Sequence, residues 1–229
     1  MRRTLFLSLV LATALAGGCR GKDRDQAAAP PAGSAPVGTS GDADIKGSDK
    51  DFARDVAIAN MAEIDMARMA AERGTDTNVK KFAQMMIDDH NQAGTKLQAL
   101  AAQHHLEIPA QADDDHKEKA RKLGEKKGLE FDRDYADAMV DGHQAFVDTL
   151  EPRIDKDTLA KWKATQVDPV SGKKVESKAE AISIVAEKSD NAITQSLNQF
   201  AADTYPVAFA HLQAAKDLQK GLKRRTTTP

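Results

Sequence analysis

The sequence is poor in the residues that build sheets and covalent frameworks. Of its 229 residues one is cysteine and ten are aromatic: a single Trp, two Tyr and seven Phe. β-Sandwiches and barrels draw on aromatic and β-branched side chains to fill a pleated, half-buried surface, so a predominantly β fold is excluded. One cysteine rules out an intrachain disulfide and any site built on several thiolates. A dominant charge is missing too. The 33 basic residues face 35 acidic ones, a net charge of −2, which leaves no electrostatic basis for nucleic-acid binding. What the chain has instead is alanine, 39 residues of it, together with 30% charged residues. That mixture belongs to amphipathic helices with polar outer faces, and the expected class is all-α.

At the N-terminus Arg2 and Arg3 precede a largely apolar run over residues 5–15, followed by Ala16-Gly17-Gly18-Cys19. A basic start, a short apolar stretch and small residues form an export signal. The run is too short to cross ~30 Å of hydrocarbon as a stable helix. The small residues before Cys19 resemble a bacterial lipobox, which implies cleavage after Gly18, lipidation of Cys19 and attachment to a membrane. The alternative is an ordinary signal peptide with a chance cysteine. Arg20 rather than Asp follows, and the resemblance then implies the outer membrane, facing the periplasm. Residues 1–18 are therefore read as a signal peptide. Residues 19–47, rich in Ala, Pro, Gly and Ser, carry too little apolar surface to offset chain entropy and are read as a disordered tether. Residues 48–225 are the expected domain.

Four apolar stripes at helical spacing follow. The first starts at Ser48, with Asp51 completing a capping-box variant, and runs through Phe52, Val56, Ala59, Glu63, Met66 and Ala70 to a stop at Gly74. The second is capped by Thr75 or Asp76 and runs Val79, Phe82, Met86, His90, Ala93, Leu97 and Leu100. Pro109 and the acidic run at Asp113 mark a loop. The third occupies residues 128–152, with Phe131, Tyr135, Met139, His143, Phe146 and Leu150. The fourth, over residues 189–222, carries Ile193, Leu197, Phe200, Thr204, Val207, His211, Ala215, Leu218 and Leu222, with a kink expected at Pro206. Each stripe places one ionisable residue on its seam: Glu63, His90, His143 and His211.

Their depths agree. Glu63 lies 11 residues before Gly74, His90 14 after Asp76, His143 15 after Gly128 and His211 11 before Leu222. At about 1.5 Å per residue these offsets match to roughly one helical turn, so the four side chains can meet in one layer. Two readings stay open. Three imidazoles and a carboxylate suit a transition metal such as Zn, Mn, Fe, Ni or Cu. Equally, a polar core or small-ligand pocket, with Glu63 hydrogen-bonded to the imidazoles, satisfies the need for a partner without any ion. Asp89 and Asp141 flank two of the histidines as candidate outer partners, against the plainer reading of a solvated helix face. No Glu-x-x-His pair is present, which argues against ferritin-type di-iron chemistry.

Segments 52–71, 79–97, 131–151 and 200–218 resemble a bacterial family, domain of unknown function 4142, often labelled outer-membrane proteins. The carrying patterns are Met86-x-Asp88-Asp89-His90, Phe131-Asp132-x-x-Tyr135 before His143, and Pro206 before His211-Leu212. The resemblance implies a ferritin-like bundle, expected here with up-down-up-down order, and an exported location without an established activity. Glu63, His90, His143 and His211 match the family's recurrent polar positions. The sequence departs from the family at residues 153–188, an insertion between the third and fourth helices. This insert holds Trp162, read as packing over one end of the bundle rather than anchoring a partner, a turn at Asp168-Pro169, and Ser177 with Glu180 as a capping box for residues 179–187, which either extend the fourth helix or form a short helix of their own. Three functional classes follow: a lipid-anchored protein whose Glu/His cluster holds a metal, a structural or protein-interaction module of the envelope, and an enzyme. The last ranks lowest, because no nucleophile–base pair or phosphate loop is present.

Overall fold

The computed structural model describes residues 44–166 and 182–225. The leader, Cys19, most of the tether, the Asp168-Pro169 turn and the Ser177/Glu180 pair lie outside the described residues. Among the described residues are six α-helices: α1 (Gly47–Arg73), α2 (Thr77–Gln103), α3 (Asp114–Glu125), α4 (Gly128–Leu150), α5 (Lys156–Thr165) and α6 (Ala192–Arg224). The expected all-α bundle is what forms. None of these helices is long and apolar enough to cross a membrane.

Short polar side chains start most of them. Asp76 accepts from Asn78 N at 2.6 Å, Asp113 from His116 N at 2.9 Å and Asp155 from Thr158 N at 2.9 Å. Asn191 accepts from the amides of both Ile193 and Thr194. Each such cap stabilises a helix by about 1 kcal/mol. Helix α1 differs from expectation: it begins after Lys46 without a side-chain cap, and Asp51 pairs with Arg54 at 2.7 Å instead of closing a box. Helices α3 and α5 were not legible as stripes, since each buries a single residue, Leu123 and Leu159. They rest on their Asp caps and, in α3, on ion pairs such as Arg121–Glu118 at 2.7 Å. The helix expected over residues 179–187, whether separate or continuous with the fourth, does not form in its described part. Residues 182–187 are not helical, and Ala186 bridges Ile154 in antiparallel fashion.

The order of directions is also corrected. At one end of the bundle Asp132, in the first turns of α4, accepts from the backbone N–H of Thr75 (2.9 Å) and Asp76 (2.8 Å) and from the Thr75 hydroxyl. Arg133 reaches the carbonyl of Leu222 there. The starts of α2 and α4 therefore lie together with the ends of α1 and α6. At the opposite end Arg153, just past α4, binds Asp49 of α1 at 2.9 Å and Asn198 of α6 at 3.1 Å. His104, at the end of α2, meets Ser196 at 3.0 Å. Helices α2 and α4 thus run parallel, and the connection carrying α3 traverses the length of the bundle. A short loop cannot join parallel helices, so up-down-up-down order gives way to a single long crossover between α2 and α4, which lie diagonally across the bundle.

The seams are buried much as their spacing requires, and all six stripe residues of α4 lie in the core. On α6 the face drifts: Val207 is 46% exposed, while Tyr205, Ala208 and Leu212 point inward. Helix α6 continues through Pro206. Trp162 packs edge-on against Tyr205 and Phe209, with centroids 5.6 and 5.3 Å away. The apolar core falls into two clusters. One gathers around Phe52, Leu97, Leu150, Leu197 and Phe200, the other around Met86, Phe131, Tyr135, Met139 and Leu222. Between them lies a polar layer.

Asp132 has no exposed surface and holds two backbone N–H groups that would otherwise be orphaned. Asp132→Ala should cost about 1–3 kcal/mol, read as a lower urea midpoint at unchanged slope.

Candidate metal centre

The polar layer is built from one buried ionisable residue on each of the four long helices. Glu63 from α1, His90 from α2, His143 from α4 and His211 from α6 are all at most 5% exposed. The three imidazole rings pack mutually, with centroids 5.3 to 5.6 Å apart. One nitrogen from each lies within 4.8 Å of the other two. Glu63 completes two sides only: its Oε2 is 3.2 Å from His90 Nε2 and its Oε1 is 3.4 Å from His143 Nδ1. No hydrogen bond or ion pair joins it to His211 among the described residues.

Each imidazole has an outer acceptor that fixes its tautomer, because a carbonyl or carboxylate oxygen requires an N–H. His90 Nδ1 donates to Asn60 Oδ1 (3.1 Å), His143 Nδ1 to the Met139 carbonyl (3.0 Å) and His211 Nε2 to Asp89 Oδ2 (2.8 Å). On His90 and His143 the nitrogen left with a lone pair is Nε2, and on His211 the nitrogen turned away from Asp89 is Nδ1. This is the arrangement that orients imidazole ligands around a metal. His143 Nε2 is buried without any hydrogen-bond partner, which is costly for a polar atom unless something else occupies it. Tetrahedral zinc, at about 2.0–2.1 Å from nitrogen, needs ligand atoms about 3.4 Å apart.

Of the flanking carboxylates, Asp89 touches the cluster and Asp141 does not: the latter is exposed and lines a cleft between α1 and α4. Three supporting residues escaped the sequence reading. Asn60, one turn before Glu63, holds His90. Gly94 and Gly142 make room: a Cβ on Gly94 would stand 2.9 Å from the Asn60 amide nitrogen, and one on Gly142 2.7 Å from Glu63 Oε1. Glycine inside a helix costs roughly 0.5–1 kcal/mol relative to alanine, and that penalty was the available signal. His104 and His116 serve elsewhere: His104 bonds to Ser196 and His116 sits beside its cap Asp113.

The chain matches the family model described as Domain of unknown function (DUF4142) over residues 34–170, more than half its length. It belongs to that family. The match includes α1 to α5, and with them Glu63, His90 and His143; α6 and His211 lie beyond it. No curated protein and no solved structure matches the chain.

Burial sets the protonation of the DUF4142 cluster. Desolvation pushes the Glu63 carboxyl up to about 8. It pushes His90 and His143 down to about 3, helped in each case by neighbouring imidazoles. Without a metal the folded cluster therefore keeps Glu63 protonated and these two imidazoles neutral near pH 7. Between the ordinary values of 4.5 for Glu and 6.5 for His, the unfolded chain carries two protons on these three groups and the folded chain one. Stability then rises with pH. From 6.5 to 8 the unfolded groups carry none while folded Glu63 still holds its proton, so stability falls. The metal-free protein should show a cluster contribution peaking near pH 6.5, and Glu63→Gln should abolish the decline on the alkaline side. Urea midpoints of both proteins across this range provide the check; parallel profiles would refute the assignment.

A second expectation concerns the glycines. Gly142→Ala should lower stability by about 1–3 kcal/mol despite alanine's better helix propensity. Gly221→Ala, where nothing lies within 4 Å of the added Cβ, should be neutral or stabilising. Combining Gly142→Ala with Glu63→Ala should recover much of the loss in a double-mutant cycle.

Proposed function

We propose that the DUF4142 bundle is a transition-metal-binding module, exported and held at the outer membrane by a lipid on Cys19. The observation that carries the metal reading is the gathering of three buried imidazoles, one nitrogen of each within 4.8 Å of the others, with His143 Nε2 left unpaired. Neutral imidazoles beside a carboxylate suit zinc, manganese, iron, nickel or copper rather than calcium or magnesium. Bound metal would displace the proton that the buried Glu63 otherwise retains, so affinity should fall with acidity. The single crossover supports the ferritin-like part of the expectation, since bundles of that type carry one. Anchoring rests on the Arg2-Arg3 start, the apolar run and the small residues before Cys19.

A structural reading has one observation in its favour. Glu63 already reaches His90 and His143, so hydrogen bonding inside the layer can hold helix register without an ion. It leaves the His143 nitrogen unsatisfied, which the metal reading does not.

Elemental analysis of the full chain, expressed with its own leader, should find about one transition-metal ion per molecule. In metal-stripped protein, adding that ion at 100 times its dissociation constant should stabilise the fold by about 2.7 kcal/mol. His143→Ala should abolish both results. Absence of copurified metal, with no thermal shift for any of the five ions, would overturn the proposal. For the anchor, metabolic palmitate labelling and membrane fractionation should both be lost in Cys19→Ser.

A further inference from the structure

Helices α1 and α4 touch more sparingly than the α1/α2 and α4/α6 pairs, and between them opens a cavity of about 620 Å³. Small residues, Ala59 and Ala62 from α1 and Ala138, Gly142 and Ala145 from α4, share its walls with Val56, Met66 and Phe146. Lys119 and Lys122 of α3 stand at its rim, opposite Asp137 and Asp141. Of the four cluster residues only Glu63 lines this cavity. The missing Cβ of Gly142 lets its carboxylate extend to the α4 wall, so Glu63 lies between the cavity and the histidines. A second cavity, of about 490 Å³ between α1 and α2, is lined by His90. There Asn60 occupies His90 Nδ1 and packs tightly against Gly94.

From this geometry, and resting on the metal reading above, we infer that the α1/α4 cleft admits a small metal-coordinating anion to an exchangeable position beside Glu63. Three neutral imidazoles and one carboxylate leave a divalent ion with a net charge of +1, which a further anion neutralises in a low-dielectric interior. Sites that exchange ligands keep one position open to solvent while the protein holds the rest. The α1/α4 cleft supplies that opening: Glu63 lines it, whereas on the α1/α2 side Asn60 stands against His90. Its two-signed rim gives little selection by charge, so the metal itself selects the anion. A cavity of this volume also accommodates a molecule larger than the coordinating group.

The test uses cobalt(II) as the metal and azide as the ligand, on the full chain. Azide should shift the visible cobalt bands saturably in the wild type. Ala138→Leu and Ala145→Leu, each narrowing the cleft from a partly or fully exposed position, should bind cobalt with an unchanged azide-free spectrum while azide affinity drops at least tenfold. A cobalt spectrum indifferent to azide overturns this inference alone, as does equal azide binding in both narrowed variants. A chain that gives no cobalt spectrum overturns the metal reading and the inference together.

Discussion

The structure depends on one constraint: four ionisable side chains are buried at the same depth, and a buried polar group must have partners. A charge taken from water into a protein interior costs several kcal/mol unless it is paired or neutralised. The fold meets this by gathering Glu63, His90, His143 and His211 into a single layer and by giving each histidine an outer acceptor. The layer divides the apolar core, with one cluster on each side and the partly buried Val140 packed against both. Gly94 and Gly142 belong to the same arrangement, because the side chains of Asn60 and Glu63 occupy the space beside them.

The ends of the bundle are fixed by two further polar networks. Asp132 gathers the turn between α1 and α2 onto α4. At the other end Arg153 stacks over Phe52, 4.0 Å from its centroid, and binds Asp49, Asn198 and the Ser48 carbonyl. Thr194 also donates to Asp49. These contacts join helices far apart in sequence and hold their ends in register. The sparse α1/α4 face is left between those anchors, and the crossover carrying α3 runs beside it. Connectivity and access to the cluster are thus linked: the same long connection that makes α2 and α4 parallel lays α3 along the opening.

Much of this was legible beforehand. Repeats of three and four residues named the four long helices, since amphipathic burial imposes that period. The same repeats exposed Glu63, His90, His143 and His211 as interruptions, and similar offsets from helix ends placed them together. Reading failed where burial was slight or local chemistry was ambiguous. Helices α3 and α5 bury one residue apiece and leave no stripe. Val207 was assigned inward because a seam of mixed three- and four-residue steps can be continued at either of two adjacent positions, and packing chose Ala208.

The sequence by itself determined the class, the long helices and the identity of the buried layer, because helical period and the cost of burying charge are written locally. Tertiary structure decided the rest. Nothing local says that α2 and α4 run parallel, since direction depends on whether a 24-residue connection doubles back or crosses over. Nor does spacing reveal which acceptor fixes each imidazole, that Asp89 reaches His211 while Asp141 faces the cleft, or that Gly142 yields its space to Glu63. Those follow from helix rotation and approach, which are set by contacts between residues distant in the chain.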